Sequence, residues 1–159
     1  MTAKPIPVPQ GHYVSACRQG VLIFTAGMTP RKAGVLLHKG RIGASDEVQQ
    51  HEAAVVLATG NALTAACALL CDDEEIEAIL HLTVYLAVEE GFTEHSRIAD
   101  FASSYLASVL GSAGLGARAA VGVAALPGGA PVEVQLVASA KDKSAGDNAF
   151  SANKEAQDA

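Results

Sequence analysis

A chain of 159 residues, half of them hydrophobic, is long enough to fold as one domain that buries about two-thirds of its unfolded surface. Its formal net charge of −6 and its lack of Trp argue against a nucleic-acid-binding face, which carries a basic patch and often a base-stacking platform. Three cysteines, Cys17, Cys67 and Cys71, show no C-x-x-C spacing; they read as reduced thiols of a cytoplasmic protein, with Cys67 and Cys71 as buried small residues on one helical face.

The first dozen residues, MTAKPIPVPQGH, are Pro-rich without an apolar run, so they predict an extended arm and not a signal peptide. Tyr13 to Arg18 and Val21 to Ala26 flank Gln19-Gly20 and predict a hairpin, with Gly20 supplying the positive φ of a tight turn. Pro30 and Gly34 mark a loop, and Val35 to Leu37 form a short extended piece. Ser45 is the expected N-cap of a long helix reaching Cys71, with Asp46 and Glu47 at the positive end of its dipole. Apolar residues occupy most of its circumference, so it must be covered on most sides. It is no bilayer span, because Thr59, Gly60, Asn61 and Thr64 interrupt it and Asp72 and Asp73 follow.

Ile76 to Val88 is the strongest strand. Its alternation puts Leu80, Leu82, Val84, Leu86 and Val88 on one face, against the helices. The other face carries His81, Thr83 and Tyr85, a mixture expected where a sheet packs against other subunits. A second helix is predicted from about Thr93 to Leu110, and Gly111, Gly114 and Gly116 read as a flexible lead out of it. Arg118 to Ala125 and Val132 to Ala140, with Pro127, Gly128, Gly129 and Pro131 between them, predict a second hairpin. Residues 1–140 therefore form a single domain, and the polar stretch 141–159 is expected to be a tail. Two helices over one face of a mostly antiparallel six-stranded sheet make an α+β layout.

Arg118 and Glu133 are the candidate working residues, because charges inside apolar strands usually have a task or a partner. Their separation does not place them directly opposite across the turn; a bulge or a neighbouring chain would be needed to bring them to one cleft, and a plain structural ion pair is the alternative. The five histidines, His12, His38, His51, His81 and His95, are scattered, so no metal site is expected. Cys17 has no base near it in sequence.

The segment ARAAVGVAALPGGAPVEVQLVA resembles the C-terminal signature of the Rid (YjgF-type) family of enamine/imine deaminases. HYVSACRQGVLIFTAGMTP is similar to the family's N-terminal hairpin and FTEHSRIADFASSYL to its second helix, with the wording of the family's longer branch. The resemblance implies a chorismate-mutase-like fold, a homotrimer whose active site lies at the subunit interface, and hydrolysis of small 2-imino or 2-enamino acids without a cofactor. It matches Arg118 to the arginine that grips the substrate carboxylate, and Glu133 to the acid that orients or deprotonates water. Tyr13 matches the family's N-terminal tyrosine in the pocket wall, although an ordinary strand aromatic is an equal reading.

Departures from the family pattern fall at Ala120, where short deaminases carry Cys, and at Ala26, Gly27 and Met28, where Ser-Gly-Gln is usual. The family's second-helix Asn falls near Asp100 or is missing, depending on register. These changes reshape the pocket, with Ala120 among its substrate-binding positions, and retain the guanidinium and the carboxylate. Two other functions are compatible with the sequence: a non-catalytic trimer that binds a small carboxylate and regulates a partner, and an endoribonuclease, against which the acidic balance counts. No nucleic-acid or membrane partner is expected.

Overall fold

The computed structural model describes residues 6–144. The first hairpin forms as expected but shorter: β1 (Ala16–Gln19) pairs with β2 (Leu22–Thr25), and Gly20 at the turn has φ of 60°. β3 (Arg31–Lys32) and β4 (Val35–Leu36) make a separate two-stranded ribbon.

α1 (Glu52–Cys67) starts later than the Ser45 cap predicted, after a 3-10 turn over Val48–His51. The Asp46 carboxylate explains the delay. It accepts the Gly43 backbone N–H at 2.9 Å and contacts His51 Nε2 at 3.1 Å, so it closes the preceding loop instead of the helix. The helix also ends earlier, at Cys67. Cys71 thus falls in a loop, and both thiols are exposed and not buried.

Among the described residues the main sheet has five strands and not six, in the order β1-β2-β7-β5-β6, where β5 is Glu74–Ala87, β6 Ala117–Val123 and β7 Val132–Asp142. Only β5 and β6 run parallel. The predicted second hairpin does not form, because β5 lies between β6 and β7. The longest strand is thereby paired on both edges from His81 to Leu86, and the segment from β6 to β7, with a 3-10 turn over Pro127–Gly129, passes over its end.

Two register shifts in β5, between Ile76 and Ala78 and between Ile79 and His81, change which side chains face inward. Ile76, Ile79, Leu82, Val84 and Leu86 are buried, while Leu80 is 42% exposed. Each bulge moves the alternation by one residue, so strict period two places Leu80 on the wrong face. α1 and α2 (His95–Leu110) cover the buried face, meeting Val132, Val134 and Leu136 of β7 in one core. Each fully buried Leu or Ile there contributes roughly 1.5–3 kcal/mol relative to exposure.

β7 continues past residue 140 to Asp142, and the Lys143 N–H donates to the Asp73 carbonyl at 2.9 Å. The sheet therefore extends beyond the expected domain end, and residues 145–159 of the predicted tail lie outside the described residues. No helix among the described residues is long and apolar enough to cross a membrane.

Candidate functional site

Two glycines position Arg118. A Cβ at Gly116 would overlap the Ile79 carbonyl, and one at Gly114 would overlap that of Leu106. The chain thus enters β6 pressed against β5 and the end of α2, and the lead expected to be flexible is a close-packed turn. This fixes the parallel register of the edge strand, with Arg118 beside Leu82 and Ala120 beside Val84. Partners across a ladder share a face. Both residues therefore lie on the helix side, and Ala120 packs against the core.

From above, α2 lowers Ser96, Asp100 and Ser103, which lie one and two turns apart and share a stripe of the helix. One Arg118 terminal nitrogen, Nη1, donates to Asp100 Oδ1 at 2.8 Å and to Ser103 Oγ at 2.9 Å. The other, Nη2, donates to Ser96 Oγ at 3.0 Å and to the Ser96 carbonyl at 3.3 Å. The Arg118 side chain is 18% exposed while that of Asp100 is 62% exposed. Neither Arg118 Nε nor Asp100 Oδ2 has a hydrogen-bond partner among the described residues.

Glu133 occupies the opposite side of the sheet. Its ladder partner is Tyr85, which in turn pairs with Val121, and all three point to the face that no helix covers. The carboxylate lies against Gly27, where any Cβ would overlap it. In this position the Glu133 carboxylate takes the space that a side chain at position 27 would fill. Burial without a charge partner pushes its carboxyl above the usual range. Thr83 shares this face, with its Oγ1 3.1 Å from His81 Nε2.

Arg118 and Glu133 therefore do not meet within one chain. The register is unbroken from Leu82 to Leu86, and no bulge turns either residue toward the other. Tyr13 is half-exposed, and its phenol oxygen accepts the Gln10 N–H at 3.1 Å. It lines a cavity of about 640 Å³ between the N-terminal arm, the ribbon and α1, which Gly27 and Met28 also line. Neither Arg118 nor Glu133 lines that cavity. Among the described residues no group of three His, Cys, Asp or Glu side chains is placed to hold a metal ion.

The open face exposes Phe24 and Val121, at 37% and 38%. It belongs to a sheet whose β6 edge pairs with no strand among the described residues. Sequence reasoning did not assign Ser96 and Ser103. Their one-turn spacing with Asp100 on an otherwise amphipathic helix was the available signal, but it acquires meaning only once β6 is known to lie beneath it.

Comparison with known proteins agrees with this fold. The family model for Endoribonuclease L-PSP matches residues 3–140. Protein TCP17 of Trypanosoma cruzi is 35% identical over 130 residues, covering 81% of each chain. Among solved structures, a Shewanella oneidensis MR-1 protein that carries a provisional endoribonuclease name is 30% identical, with a TM-score of 0.76 over 87% of this chain and 92% of that one. Atu1372 of Agrobacterium tumefaciens, described as of unknown function, is also 30% identical, with a TM-score of 0.73 over 81% of this chain and 82% of that one. With its α+β fold, two helices on one face of a mostly antiparallel sheet, this chain belongs to the Endoribonuclease L-PSP family, the YjgF or Rid family that its sequence resembles.

Proposed function

We propose that the chain is a cofactor-independent hydrolase of small 2-imino acids that works as a homotrimer. In this reading Arg118 of one copy and Glu133 of another share a cleft. The observation that carries it is the placement of the two residues. Arg118 stands at an unpaired sheet edge with Nε unused, and Glu133 is a half-buried carboxylate without a charge partner on the uncovered face. A neighbouring copy laid over that face and around the β6 edge covers Phe24 and Val121 and gives Glu133 a partner.

The chemistry asks little of the protein. The carboxylate of a 2-iminium acid docks on the guanidinium, and Glu133 takes a proton from water as its oxygen adds to the imine carbon. Glu133 then returns that proton to the nitrogen of the tetrahedral adduct, the C–N bond breaks, and the hydroxyl proton leaves with the ammonia, so that iminium acid plus water gives 2-oxo acid plus ammonium. A carboxylate pushed upward by burial is a stronger base than a solvated one, which suits the proton transfer. Tyr13 and Ala120 would supply wall, the first polar and the second apolar.

One observation favours a second reading. Asp100 already pairs with Arg118, which suits a regulatory protein that holds a small carboxylate without turning it over. An endoribonuclease is the least favoured, since a chain of net charge −6 repels a phosphate backbone. Mixing the protein with 2-iminopropanoate generated by an amino-acid oxidase, and following ammonia, tests the proposal. Release above the spontaneous rate is expected; release at the spontaneous rate, with the acid bound, would leave the regulatory reading.

A further inference from the structure

We infer that the cavity between the N-terminal arm, the β3–β4 ribbon and α1 is a second binding site, one that takes amphipathic anions: small molecules with an apolar body and a single anionic head. Neither Arg118 nor Glu133 lines this cavity, so the inference stands apart from the proposed hydrolysis.

α1 gives the cavity its shape. Ala53, Val56, Leu57, Gly60, Asn61 and Thr64 line it, and their spacing of three and four residues puts them on one stripe of the helix. From Ala53 to Thr64 that stripe runs about 16 Å at the helical rise. α1 is apolar round most of its circumference, and its Val55, Ala58 and Ala62 join the core. Val56 and Leu57 stay outside that core, partly buried against the cavity. The arm supplies a second apolar wall from Ile6 to Pro9. The space the two walls border holds about 640 Å³, within the span of roughly 300–1,000 Å³ usual for small-molecule sites. Apolar walls in contact with water favour any apolar body that displaces it.

The charge of the lining selects the head. The chain carries a net charge of −6, yet among the described residues the only ionic side chains that line the cavity are Arg31 and Lys32 of the ribbon, with no carboxylate. Asn61 fastens this ribbon to α1, its Nδ2 donating to the Thr29 and Arg31 carbonyls at 3.1 and 2.9 Å. Arg31 is anchored in turn, with Nε donating to Thr29 Oγ1 at 3.1 Å and Nη1 to the Gly34 carbonyl at 2.9 Å. Its Nη2 accepts no further duty among the described residues, and Lys32 forms no ion pair there. Positive charge without a counter-charge beside an apolar slot attracts an anion and repels a cation, and the low-dielectric walls strengthen both effects.

The test titrates phenylbutyrate, phenylbutanol and phenylbutylamine, one apolar body with an anionic, a neutral and a cationic head, into the full chain by calorimetry. Wild type is expected to bind the acid at least about tenfold more tightly than the amine, with the alcohol between them. Lys32→Glu changes an exposed residue and should reverse the order of acid and amine. Val56→Trp puts an indole into the slot and should weaken all three ligands at least about tenfold. Arg118→Ala should bind the acid as wild type does. No binding by wild type, equal binding of acid and amine, or the wild-type order in Lys32→Glu overturns the inference, and so does wild-type binding by a folded Val56→Trp chain. Should Val56→Trp not fold, the Lys32→Glu comparison decides alone. Loss of acid binding in Arg118→Ala would put the acid at that arginine, and binding that weakens as the chain is concentrated would give the slot to a second copy; either result overturns the inference.

Discussion

The chain contains two arginine–carboxylate pairs of opposite character. Arg18 grips Glu74 with both arms, at 2.5 and 2.7 Å. Its remaining donors reach the carbonyls of Gly20 and Leu69, and Glu74 Oε2 also accepts the Cys71 N–H at 2.9 Å. Both terminal nitrogens of Arg18 and both oxygens of Glu74 are engaged in the pair, and the Arg18 hydrogen bonds hold the Glu74 carboxyl at about 2, below its ordinary value. Arg118 meets Asp100 through one arm and leaves an oxygen and a nitrogen over. The first pair ties β1 to the start of β5 and is a closed structural clamp. The second is an open one. Two-armed closure on the carboxylate, and not the presence of an ion pair, separates the first pair from the second.

The sharpest way to break this comparison is to remove each arginine. Arg118→Ala should lower kcat/KM on an imino acid by at least about a hundredfold, because it removes charge-assisted hydrogen bonds of roughly 1.5–3 kcal/mol each. Arg118→Lys keeps the charge without the fork and should recover little. Near-normal turnover by a folded, oligomeric Arg118→Ala chain would show that this pair too is only structural.

Glu133→Gln should reduce kcat by about a hundredfold or more with a smaller change in KM. It should also abolish the acid limb of the rate profile, which for the parent falls as the pH drops through a Glu133 pKa above 4.5. Its stability effect has the opposite sign. A carboxyl whose folded pKa is raised destabilises the fold above that pKa, so Glu133→Gln should raise Tm slightly at neutral pH. A lowered Tm with an unchanged rate profile would make Glu133 a structural residue.

Association gives the next effect. Light scattering should find three times the 16.2 kDa chain mass, and Phe24→Asp on the open face should shift it toward monomer with loss of turnover. A stable wild-type monomer at micromolar concentration would remove the shared cleft. The smallest effect concerns the closed clamp. Arg18→Ala should lower Tm at neutral pH and leave kcat/KM alone. Glu74 has a depressed folded pKa, so its contribution is present above 4.5 and is lost as the pH falls through about 2. The Tm difference between parent and variant should shrink over that interval to what the Gly20 and Leu69 contacts contribute.

Much of the fold was legible in the chain. The first hairpin announced itself through Gln19-Gly20, α2 through its amphipathic spacing, and β5 through its alternation, because each is a local pattern that the backbone reads directly. The second hairpin misled, since two apolar strands around a Pro-Gly turn are locally indistinguishable from two strands that admit a third between them. Leu80 misled because bulges leave no mark in the hydrophobic pattern.

By itself the sequence determined the family, through the resemblance of its segments, and, through spacing along the chain, the α+β class and the identity of Arg118 and Glu133 as charges in apolar strands. Only the tertiary structure decided that these two face opposite sides of the sheet, that Asp100 and two serines surround the guanidinium, and that Glu133 stands half-buried beside Gly27. Side-chain parity depends on which strands pair and where bulges fall, and those are settled by the non-local competition for β5's two edges.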